Sequence, residues 1–235
     1  GPLRSRLAPG EGYPTRQAIK FYTSLTLFYL AVGSPLDQIA ERFLFSAHMA
    51  QHFLLMYPVP ILFLLGLPHW MIDSVLSWPG LRNIGGLITH PVICGVIFVL
   101  VTSVWHAPIL YEWALHDKFV HIVEHLMFFG ASLLYWWTQL SPSRVFPRKN
   151  YPTQMLFQLA VVIGLIPVFA YITFSTEILY PTYEFAPRII ASLDPGNDQL
   201  LAGVIMKIGG MLVALSAVGV SFYRWYQSTE GLDQD

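Results

Sequence analysis

The chain has 235 residues, 54% of them hydrophobic and only 11% charged, with a net charge of -1 and a mean hydropathy of +0.52. A soluble domain carries about 25% charged residues, so this composition indicates a polytopic membrane protein. The near-neutral charge, without a basic tract, excludes nucleic acid as a partner, and the single cysteine, Cys94, excludes an intrachain disulfide or a Cys-x-x-Cys metal handle.

Residues 1–16 form an N-terminal arm whose opening Gly1-Pro2-Leu3 reads like a protease-cleavage scar. Residues 17–225 read as one all-α transmembrane helical domain, and 226–235 as a polar C-terminal tail. A membrane-crossing helix needs roughly 20 mostly apolar residues, and six segments meet this pattern, at about 17–34, 43–67, 85–106, 120–140, 154–175 and 200–223. Lys20, near the start of the first, can snorkel to the interface. Between the second and third, residues 69–83 alternate Trp, Ile, Val and Leu with polar groups and are expected to lie in the membrane interface.

Lysine and arginine alternate from one connection to the next. Arg4, Arg6, Arg16 and Lys20 in the arm, Arg82, the group Arg144, Arg148 and Lys149, and Arg224 in the tail mark one side. Asp37, Glu41 and Arg42, then Glu112, Asp117 and Lys118, then Glu177, Glu184, Arg188, Asp194 and Asp198 mark the other. The positive-inside rule therefore predicts six spans with both termini cytoplasmic. Segment 176–199, rich in proline and aromatic residues, is expected to cap the bundle on the extracytoplasmic side.

On this topology five of the eight histidines fall at one depth near the extracytoplasmic surface. His48 and His52 lie just inside the second span, His106 at the end of the third, and His121 and His125 at the start of the fourth. Residues four apart share a helix face, so each pair can grip one ion or two adjacent ones. A single intramembrane histidine more commonly hydrogen-bonds to a neighbouring helix, but five at one level indicate a metal site. Met206, about two turns into the sixth span, and Asp198 at its start are candidate additional ligands or groups that support the ligands. Glu124 either orients a ligating imidazole or faces headgroups, and Gln51 is a further candidate to support the ligands. Imidazole suits copper, zinc, iron and nickel, and nearby thioethers shift the preference to Cu(I). His69, His90 and His116 show no such grouping and read as interfacial or core residues.

The motifs HMAQHFLLM, WHAPILYEWAL, HIVEHLMFFGASLLYWW and DQLLAGVIM occur in this order. With Trp136-Trp137 they resemble the CtaG family, bacterial membrane proteins named as assembly factors for caa-type cytochrome c oxidase, over most of residues 17–225. The resemblance implies a multi-pass protein of the bacterial plasma (inner) membrane that helps mature the oxidase copper site by carrying or transferring copper. Its partners would be the oxidase copper-site subunit or a copper-donor protein, together with the lipid bilayer, and a homo-oligomer is open. The family's histidine motifs map onto His48, His52, His106, His121 and His125, and its Asp-Gln motif onto Asp198 and Gln199. Lys207 departs from the apolar or aromatic residue of the family pattern.

The expected function is thus that of a copper metallochaperone rather than an enzyme. Three alternatives compete. His121-x-x-Glu124-His125 matches the inverted zincin pattern of a zinc hydrolase; bis-histidine ligation would hold haem; a plain scaffold for oxidase subunits would need none of the histidines.

Overall fold

The computed structural model describes residues 14–230. Among them 81% are helical and there are no strands. Arg4, Arg6 and the Gly1-Pro2-Leu3 opening, like the last residues of the tail, lie outside the described residues.

Helix α1 (Thr15–Val32) is followed by a short helix α2 (Pro35–Arg42). Pro35 and Ser34 set the start of α2, since proline is preorganised for the first helical turn and the serine hydroxyl accepts from Leu36 N at 3.2 Å. Helices α3 (Phe45–Met56) and α4 (Pro58–Gly66) together form one apolar stretch of 22 residues, long enough to cross a membrane. Against it lies α1, where Ser24 Oγ donates to the Val59 carbonyl at 2.8 Å. Gly66 permits the closest approach, because a Cβ there would sit 2.6 Å from Phe21 N.

The third expected span takes a different form. Two short helices, α5 (His69–Leu76) and α6 (Pro79–Ile88), precede α7 (Pro91–Trp105), and α6 meets α7 at 76°. Pro91 causes the break: it forces His90 into an extended conformation (φ -69, ψ 131), and no regular helix continues through it. The 15 residues of α7 reach about 22 Å at 1.5 Å per residue, short of the roughly 30 Å hydrocarbon core.

Helix α8 (Pro108–His116) occupies what reads in the sequence as a loop. Helix α9 (Lys118–Leu140) starts at Asp117, whose carboxylate accepts from Phe119 N and Val120 N at 2.8 and 3.1 Å. Helix α10 (Tyr151–Phe174) follows, then a one-turn helix α11 (Pro181–Glu184) inside the segment expected to cap the bundle. Helices α12 (Pro195–Val204) and α13 (Gly210–Glu230), joined by a π-turn at Ile205–Gly209, form one 36-residue stretch. It runs through the beginning of the expected polar tail.

Four helical stretches are long and apolar enough to cross a membrane, or five if the bent α6–α7 pair is one span. Helix α1, the first expected span, does not meet that criterion, as Arg16 and Lys20 dilute its hydropathy.

Candidate metal centre

Helix α3 has no side-chain cap of its own. Its first turn is completed from far along the chain by Asp198 of α12, whose two carboxylate oxygens accept from Phe45 N at 2.7 Å and Ser46 N at 3.1 Å. This fully buried carboxylate satisfies two donors that a helix start leaves open. One turn further, His48 and His52 lie on the same face with their Nε2 atoms 2.9 Å apart.

The second pair repeats this geometry on α9, where His121 Nε2 and His125 Nε2 are 3.1 Å apart. The rings of the two helices meet: His48 and His121 have centroids 5.5 Å apart, and His52 and His125 5.4 Å. His106, at the C-terminal end of α7, brings a fifth ring 5.7 Å from that of His52. All five imidazoles are buried.

Three of the five are fixed through Nδ1. His121 Nδ1 meets Glu41 Oε1 of α2 at 2.6 Å, and His106 Nδ1 meets the Thr102 carbonyl at 2.6 Å. Both partners only accept hydrogen bonds, so in a neutral ring the proton sits on Nδ1 and Nε2 keeps its lone pair. His48 Nδ1 lies 3.2 Å from the Tyr183 hydroxyl, which itself donates to the Ala40 carbonyl at 2.8 Å and so can accept from the ring. Burial pushes the Tyr183 hydroxyl well above its ordinary pKa, which keeps it protonated. The ring nitrogens left free to ligate are thus those facing the cluster. His106 Nε2 faces Met49 Sδ at 3.3 Å, an imidazole and a thioether aimed at one another.

Glu124 completes the cluster. It is fully buried, neither carboxylate oxygen has a hydrogen-bond partner, and Oε1 lies 3.6 Å from His52 Nε2. An unpartnered buried carboxylate is costly, and a cation among the imidazoles would remove that cost. Ligand atoms of His48, His121, Glu124 and His125 all lie within 4.8 Å of one another. Donors on opposite sides of an ion are about 4 Å apart at a metal–nitrogen distance near 2.0–2.1 Å, so slight side-chain rotation suffices to close the set.

The structure redistributes the residues proposed from the sequence. It brings the five histidines together and moves Glu124 from the headgroup alternative into their midst. The set therefore contains a carboxylate, which the five histidines by themselves lack. Asp198 has both oxygens committed to the start of α3, so it positions His48 and His52 rather than facing the cluster. Gln199 acts similarly, accepting from Leu179 N at 2.8 Å and donating to the Glu177 carbonyl at 3.0 Å, which ties the capping segment to α12. Gln51 also supports at a distance, donating to the Ala31 carbonyl and to Asp37 Oδ1, both at 2.7 Å.

Met206 packs among apolar neighbours. It is buried in the wall of an apolar cavity of about 140 Å³ with Tyr57, Phe98, Tyr135 and Phe169, and the sulfur that faces an imidazole is that of Met49. The π-turn that contains Met206 changes the helical repeat, so depth along the chain does not fix its direction. Glu41 and Tyr183 escape sequence reasoning altogether. Their distance in sequence from the histidines, 80 and 135 residues, leaves no local signal. His90 and His116 are exposed and His69 is partly buried, outside the cluster.

The family model for the cytochrome c oxidase caa3 assembly factor (Caa3_CtaG) matches residues 1–228. No curated protein and no solved structure matches the chain.

Proposed function

This chain belongs to the cytochrome c oxidase caa3 assembly factor family, and from that premise we propose that it binds copper at the histidine cluster and delivers it for oxidase maturation. The observation that carries the reading is the donor set: imidazoles from three helices, with Nδ1 partners that leave Nε2 free, surround a buried carboxylate without a partner. Imidazole and the Met49 thioether favour Cu(I), while Glu124 adds a harder donor that also tolerates Cu(II). The site lies toward the extracytoplasmic side of the bacterial plasma membrane, where the acidic connections gather. Copper is cargo here, so the site must open to an acceptor, and α8 with the 176–199 segment offers the surface on which the oxidase copper-site subunit docks.

The test is elemental analysis of the purified protein beside His52→Ala and His125→Ala. Copper held by the wild type and lost from both variants supports the reading; full copper retention in both removes it. A second reading, zinc-dependent hydrolysis, is favoured by one observation, the free carboxylate of Glu124 beside His121 and His125. Glu124→Gln separates the two, since it abolishes turnover of a hydrolase while leaving zinc bound.

A further inference from the structure

Beside the cluster lies a second group of ligand atoms, from Asp37, Glu41 and His121, again within 4.8 Å of one another. The two groups share one ring. His121 presents Nδ1 to Glu41 at 2.6 Å and Nε2 to His125 at 3.1 Å. Accessibility falls from Lys118 through the carboxylates to His121: the Lys118 side chain is 74% exposed, those of Glu41 and Asp37 16% and 12%, and that of His121 4%. Beyond His121 stands the buried Glu124 with both oxygens unpartnered.

Two further features make this group suited to passage. Lys118 Nζ lies 3.9 Å from both Asp37 Oδ2 and Glu41 Oε1, long contacts whose lysine side is open to solvent and which so contribute little to stability. The ammonium is thus a weakly held cation already in place. Gln51, fully buried, donates from Nε2 to Asp37 Oδ1 at 2.7 Å while its Oε1 has no partner, so an oxygen donor is left over at the inner edge of the group.

We propose that Asp37, Glu41 and His121 form an access site through which a single copper ion reaches the histidine cluster, displacing Lys118 as it arrives. The inference rests on the copper-binding reading given above. Two carboxylates at a partly exposed position attract a cation from solvent, and such steering raises association rates by about 10- to 1000-fold at low salt. Carboxylates are also poorer ligands for soft copper than imidazoles, so the ion is held loosely at the access site and more firmly at the cluster. His121 links the two, its Nδ1 proton held by Glu41 and its Nε2 turned to the cluster, so the ion is held first by carboxylate oxygens and moves inward by exchanging them for the Nε2 atoms of His121, His125 and His48.

The experiment compares wild type with the double variant Asp37→Asn, Glu41→Gln and with Lys118→Ala, each purified in detergent and checked by size-exclusion chromatography. Both amide replacements keep a hydrogen-bond acceptor and remove charge, so His121 stays oriented. Copper(I) is supplied from a coloured chelator, and loading is followed as the chelate absorbance falls. Expected is a loading rate about tenfold lower in the double variant, with loss of the wild type's salt dependence and with wild-type stoichiometry still reached at saturating copper, although loss of the Glu41 charge weakens affinity. Lys118→Ala should load faster than wild type. An unchanged rate in the double variant, or a final stoichiometry that falls with the rate, overturns the access site alone. A wild-type protein that takes up no copper overturns the copper-binding reading and the access site with it.

Discussion

The two histidine pairs have the same spacing and the same burial, yet they are held differently. On α9, His121 is tied to an anion, Glu41, at 2.6 Å, and the pair lies next to a partly exposed acidic group. On α3, His48 is tied to a neutral hydroxyl, Tyr183, at 3.2 Å, beneath the aromatic cap of Tyr111 and Tyr180. His52 has no partner at Nδ1 at all. A carboxylate partner makes an imidazole a stronger donor, because it stabilises the positive charge the ring gains on binding a cation. On the proposed function the α9 pair would be the stronger grip and the α3 pair the looser one, an asymmetry suited to a site that releases its cargo.

This contrast can be broken most severely by deleting a pair. Replacing both His48 and His52 with alanine, or both His121 and His125, should each abolish copper retention, because each double change removes a member of the His48, His121, Glu124 and His125 set whose ligand atoms lie within 4.8 Å of one another. Half the wild-type copper surviving in either variant would instead mean two independent ions, as elemental analysis would show. A milder change sharpens the asymmetry. Glu41→Ala, which removes the acceptor as well as the charge, should weaken copper affinity by about 10- to 100-fold, whereas Tyr183→Phe should cost less than about tenfold. Competition titration against a copper chelator measures both, and equal losses would erase the distinction between the pairs. The smallest effect is expected at the exposed histidines: His90→Ala and His116→Ala should leave stoichiometry and affinity unchanged.

Much of the centre is legible in the chain because its signals are local. Spacing of four places His48 with His52 and His121 with His125 on single helix faces, and the alternation of charge leads to the expectation that three helix ends lie at one level. Glu124 is visible too, but its direction is not: on a helix it could face lipid headgroups or the bundle, and only the packing of α9 against α3 turns it inward. Asp198 takes the supporting one of the two roles open to it. Its depth suggests a ligand, yet the start of α3 has unsatisfied N–H groups and no cap nearby, so the carboxylate goes there. At Pro91 a local rule that reads plainly in sequence, the exclusion of proline from helix interiors, replaces one expected span by two helices meeting at 76°.

Amino-acid sequence alone determined that this is a helical membrane protein with histidines paired at helical spacing, since hydropathy and i,i+4 periodicity are short-range properties of the chain. Tertiary structure alone decided which groups hold those rings and which face them. Glu41 and Tyr183 reach the histidines across 80 and 135 residues, and such contacts arise only when burial of apolar faces has fixed how the helices lie against one another.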